Sequence, residues 1–123
     1  MRFLTMVKSA ERSEPPPKEL MEGIARLGEE AARSGVVVET GGLMPSAAGA
    51  RVRLAGGKVT VTDGPFTEAK EVIGGYAIYD VRSRQEAIEW TMRFVELHRR
   101  WASWDCEVEV RQLFDPSAFA PPG

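Results

Sequence analysis

Two segments of helical period, each set between runs of strand character, constrain this chain more than any other feature. From Lys18 to Ser34 the apolar residues Leu20, Ile24, Leu27 and Ala31 recur at steps of four, three and four. Glu22/Arg26 and Glu29/Arg33 form i,i+4 pairs on the opposite side. The prolines of Ser13 to Pro17 (SEPPP) keep the helix from starting earlier, and Gly35 stops it. A second helix is expected from about Arg84 to about Arg99, opened by the capping box Ser83-Arg84-Gln85-Glu86. Its inward stripe reads Ala87, Trp90, Phe94, Leu97 and Trp101, widened by Ile88 and Val95.

The intervening runs read as strands. Phe3 to Val7 is apolar on both faces except for Thr5, and Val36 to Glu39 is β-branched and ends at Gly41-Gly42. Gly75 to Val81 and Glu107 to Phe114 complete the set. Arg51 to Leu54 and Lys58 to Thr62 form a hairpin if Gly56-Gly57 make a two-residue turn. That register sets Leu54 against Val59 and Val52 against Val61, with Arg53 and Arg51 opposite Thr60 and Thr62. The order is β-α-β, an inserted hairpin, then β-α-β, which is the ferredoxin-like split pattern of an α+β fold with two helices on one face of an antiparallel sheet. Residues 1–114 form a single domain in this reading, and residues 115–123 an irregular tail. The first two strands are apolar on both faces while the helices cover only one. A homodimer with the sheets face to face, or closed into an α/β-barrel-like body, is therefore expected.

With 123 residues, 43% hydrophobic and 28% charged, the chain is one globular domain. A net charge of -2 with interspersed signs offers no basic face for phosphates, so nucleic acid is not an expected ligand. The single Cys106 and single His98 leave no internal disulfide and no metal-ligand spacing. The short apolar run after Arg2 is too short for a signal-peptide core or a membrane span, and a reducing cytoplasmic setting is expected. No GxGxxG or GxxxxGK[ST] string is present, and no cofactor is expected.

The stretch VTDGPFTEAKE, Val61 to Glu71, concentrates the candidate chemistry. Asp63 either caps the Gly-Pro turn or acts as a general base in a cleft between sheet and loop. Glu68, Lys70 and Glu71 are either a solvated run or its electrostatic neighbours. Phe66 packs on the core or a dimer contact, or walls a pocket. Gly64, Gly74 and Gly75 serve a turn and a bulge or close approach at the strand entrance. His98 has two readings: a cation at a helix end, or half of an acid/base pair with Asp105 against an aromatic wall. Cys106 reads as a small buried residue without a base beside it. Arg51 and Arg53 either protect a strand edge or bind a carboxylate bidentately. Tyr76 and Tyr79 point to opposite faces of one strand, so at most one lines a given cavity. The site residues expected are thus Asp63 and His98 as catalytic groups and Phe66, Glu68, Lys70, Tyr76 and Arg53 as ligand contacts.

The run VTDGPFTEAKEVIGGYAIYDV, the capped helix with QEAIEW and the closing strand EVEVRQLF together resemble the YCII-related, DGPF-domain family of small bacterial proteins. The resemblance implies a dimeric ferredoxin-like fold, similar to muconolactone isomerase-like proteins. It also implies small enzymes using a His on the first helix with an Asp as an acid/base pair; here the first helix, KELMEGIARLGEEAARS, contains no His. The DGPF branch is further associated with extracytoplasmic-function sigma factors. Two functions follow as expectations. One is a dimer that binds a small organic molecule and acts as an acid/base enzyme of isomerase or lyase type; the other is a non-catalytic partner module in a sigma-factor-linked stress pathway.

Overall fold

A computed structural model describes residues 1–115; the expected irregular tail from Pro116 onward lies outside them. The elements are β1 (Arg2–Ser9), α1 (Lys18–Arg33), β2 (Val37–Gly42), β3 (Ala50–Ala55), β4 (Lys58–Asp63), β5 (Val72–Asp80), α2 (Arg84–Trp101) and β6 (Glu107–Gln112), with a short 3₁₀ turn at Ser46–Ala48. Four strands form one antiparallel sheet in the order β2-β5-β1-β6, and β3 and β4 form a separate two-stranded sheet. This α+β arrangement is consistent with a ferredoxin-like fold.

Local chemistry accounts for the element ends. After α1, Gly35 takes φ +71°, its N–H donates to the Ala32 carbonyl and the Val36 N–H donates to the Ala31 carbonyl. These crossed bonds make a Schellman motif, with Val36 and Ala31 both in the core. At the start of α2 the Glu86 N–H donates to Ser83 Oγ at 3.1 Å. The Glu86 carboxylate reaches back to the Arg82 N–H, also at 3.1 Å. Between β3 and β4, Gly56 and Gly57 take φ of +58° and +77°, the type I′ geometry that matches strand twist. The hairpin register is the one read from sequence, Leu54 to Val59 and Val52 to Val61. Gly74 is the extra residue of a bulge in β5, and a Cβ on Gly75 would come 3.1 Å from the Gly41 carbonyl oxygen.

The stripe of α2 differs from the sequence reading. Its buried residues are Ala87, Thr91 and His98, with Phe94 partly buried between them, while Trp101 is 40% exposed. The inward face is rotated toward Thr91 and His98 because both polar groups bond backbone carbonyls of the same helix. Thr91 Oγ1 donates to Ala87 at 2.8 Å, and His98 Nδ1 lies 3.0 Å from the Phe94 oxygen. Leu97 instead lies over Gly23 of α1, where a Cβ would come 2.8 Å from its Cδ2.

The buried apolar cluster, Phe3, Ala31, Val36, Tyr79, Val81 and Ala87, occupies only one end of the space between helices and sheet. It gathers the start of β1, the end of α1, the end of β5 and the start of α2. The opposite end, where β1 finishes and α1 begins, is not filled.

Candidate functional site

That unfilled end is a cleft of about 1160 Å³. Its bed is apolar, with Leu20, Ile24 and Leu27 from α1, Phe94 from α2 and Val7 and Val108 from the sheet. Its rim is formed by residues 43–46 and 48–51 and by Phe66.

The rim is built around one serine. Ser46, 8% exposed, donates from Oγ to Glu11 Oε1 at 2.8 Å and from its backbone N–H to Glu11 Oε2 at 2.9 Å. The same hydroxyl oxygen accepts the Phe66 N–H at 3.0 Å. Next to it the Gly64 N–H donates to the Gly49 carbonyl at 2.8 Å. A Cβ on Gly64 would stand 1.7 Å from the Ser46 carbonyl oxygen, so only glycine allows these backbones to meet. The Gly64–Pro65 peptide is cis. The DGPF string is therefore clasped to the 3₁₀ turn, which is itself clasped to the β1–α1 loop. Phe66 follows from this anchoring: its ring stands against Gly49 and carries the Arg51 guanidinium 3.9 Å above its centroid.

His98 faces the same cleft from α2. Its ring packs on Phe94 at 4.6 Å between centroids and meets Trp104 edge-on at 6.4 Å; the Arg12 guanidinium lies 4.1 Å over Trp104. His98 forms no ion pair with Asp105 among the described residues, so the pairing considered from sequence is not made; Nδ1 is turned to the helix carbonyl instead. Cys106 is partly buried in the cleft wall, and burial, reinforced by the Asp105 charge, pushes its thiol pKa up. Tyr79 lines the cleft from the core side, with its phenol pushed up by burial.

The structure thus brings His98, Phe66 and Tyr76 to one cleft and places the other expected site residues elsewhere. Asp63 ends β4 opposite Ala50, is exposed and makes no side-chain hydrogen bond among the described residues. Glu68 is ion-paired with Arg51, whose hydrogen bond holds its carboxyl below the usual range. Lys70 is exposed, and Arg53 lies opposite Thr60 on the hairpin. Tyr76 and Tyr79 lie on opposite sheet faces, yet both border the cleft, against the expectation that at most one would: Tyr79 lines it from the helix-side core, and Tyr76 lies against Gly41, where Gly41 and Gly42 leave the end of β2 without side chains. Glu11, Ser46, Thr5, Thr40 and Thr91 were not singled out by sequence reasoning. The first two are joined over 35 residues of chain, and no local pattern announces such a contact. Among the described residues no three His, Cys, Asp or Glu side chains gather to hold a metal ion. No helix among them is long and apolar enough to cross a membrane.

Fold and cleft define a small α+β protein with an antiparallel sheet on one side, two helices on the other and an apolar pocket between the layers. Residues 1–96 match the family model of the YCII-related domain. The chain belongs to that family. No curated protein sequence matches it. The structural unit runs beyond the matched segment, because β6 pairs with β1 from Phe3 opposite Gln112 to Lys8 opposite Glu107.

Proposed function

We propose that this protein binds a small organic molecule in the cleft between its helices and its sheet, and that His98 is the group through which acid/base chemistry runs there. The observation that carries the reading is the cleft itself: a largely apolar space of about 1160 Å³, large enough for a small-molecule ligand, with one imidazole in its wall. Histidine is the side chain whose unperturbed pKa suits proton transfer near neutral pH, as an isomerase or lyase step requires. In this reading the DGPF segment shapes the rim, and Asp63, Glu68 and Lys70 act on its placement and charge without touching the ligand.

A thermal-shift panel of small aromatic and aliphatic compounds tests the proposal, since a ligand of the folded state raises Tm. Hits should vanish in Ile24→Trp, which fills the cleft. A shift that survives in that variant places binding elsewhere. A panel without hits favours a non-catalytic partner module in a regulatory pathway.

A second observation supports self-association. Val52, Leu54, Val59 and Val61 share one face of the β3–β4 hairpin and are 65–72% exposed. Such an apolar face is rarely left to water, and a second copy of the chain is the cover we propose for it.

A further inference from the structure

Three threonine hydroxyls and the imidazole of the cleft wall share a property: their hydrogens are already directed to the backbone. Thr5 Oγ1 donates to the Ala77 carbonyl at 3.1 Å, Thr40 Oγ1 to the Tyr76 carbonyl at 3.1 Å and Thr91 Oγ1 to the Ala87 carbonyl at 2.8 Å. His98 joins this set by elimination. A carbonyl oxygen only accepts, so the 3.0 Å contact from Nδ1 to the Phe94 oxygen assigns the hydrogen of the neutral ring to Nδ1. Nε2 then carries a lone pair.

That lone pair is available to a ligand. His98 is only 8% exposed, yet among the described residues no sealed side-chain nitrogen or oxygen lacks a partner. Nε2 has no partner among the described residues, so it opens to the cleft that the residue lines. No other group of the cleft donates to that lone pair among the described residues. Ser46 already donates to Glu11 and accepts from Phe66. Arg12 and Arg51 lie over Trp104 and Phe66 and pair with Glu14 and Glu68. The hydroxyls of Ser9, Tyr76 and Tyr79 can play either role.

The geometry points to a ligand that brings its own hydrogens: a neutral, mostly apolar alcohol or phenol whose hydroxyl donates to His98 Nε2. This deepens the binding reading above and rests on it. A carboxylate offers no hydrogen and sets its charge against that lone pair in an apolar bed. An ether leaves that lone pair unmatched. An ammonium brings hydrogens but must shed its water against Leu20, Ile24 and Val108, which disfavours it. A site built to hydrogen-bond a hydroxyl discriminates strongly against the analogue that lacks it, because its own polar groups are then left unpaired.

Calorimetric titration with 2-naphthol, 2-methoxynaphthalene and 2-naphthoate tests the inference. We expect naphthol to bind at least about 10-fold more tightly than the methyl ether, with naphthoate weakest. His98→Phe should abolish the naphthol advantage while leaving the ether's affinity in place. Nitrogen NMR of the wild-type ring provides a readout that needs no variant: Nδ1 protonated, Nε2 bare, and the Nε2 resonance shifting with naphthol but not with the ether. Equal or tighter binding of the ether or of naphthoate, or a ring protonated on Nε2, overturns the inference while leaving the cleft as a binding site. Failure of all three compounds to bind removes the binding proposal together with this one.

Discussion

Ser46 and Gly64 show how single residues build the rim. Replacing Ser46 by alanine removes a hydroxyl that serves both Glu11 and Phe66 and leaves a partly buried carboxylate oxygen and an amide unmatched. Ser46→Ala should lower stability by about 1–3 kcal/mol, read from the urea midpoint at unchanged slope. Gly64→Ala meets the Ser46 backbone instead of a flexible side chain, so a loss of about 3 kcal/mol or more is expected in the same measurement. Two residues make alkaline pH destabilising. The folded-state pKa values of Tyr79 and Cys106 are raised by burial, with the Asp105 charge adding to the second. Raised values mean that the unfolded chain ionises first. Their contribution is complete below the unfolded pKa and is lost as pH rises through the folded one. Thiol alkylation followed against pH should accordingly lag behind the urea-unfolded chain, and a coincident profile contradicts the burial argument.

At the scale of elements, much was legible because the signals are local. The Gly-Gly turn and the alternation on either side specify the β3–β4 register residue by residue. Ser83 with Glu86 marks the start of α2, and Gly35 marks the end of α1. Ser83→Ala and Gly35→Ala should each cost about 1 kcal/mol, the first through a lost cap and the second through the positive φ. Both follow from chemical denaturation. The face of α2 was harder to read. Apolar spacing picked out Ala87, which is buried, and Trp90 and Phe94, which are partly buried, but also Trp101, which is 40% exposed, and it passed over the buried Thr91 and His98. Polar side chains can turn inward when a carbonyl one turn back takes their hydrogen, and hydropathy does not register that bond. The cleft is built from these same residues, so its wall was the part of the site least visible in sequence.

For the whole molecule, the decisive features join distant segments. The family signature between Val61 and Glu71 was readable as a string, but its attachment to Ser46, and through it to Glu11, depends on contacts across 20 and 35 residues. The exposed apolar hairpin face leads to a prediction at this scale. Wild-type protein should sediment at twice 13.6 kDa at micromolar concentration, and Val52→Glu with Val61→Lys should return it to the monomer. A wild-type species of monomer mass removes the self-association proposal.

The clasp at Ser46 also has a kinetic consequence. Four backbone amides depend on it: Ser46 bonded to Glu11, Gly49 to the Ser46 carbonyl, Gly64 to the Gly49 carbonyl and Phe66 to the Ser46 hydroxyl. Because each bond positions the next, the three loops open together or not at all. Hydrogen exchange should therefore report one shared opening free energy for amides drawn from two separate stretches of the chain.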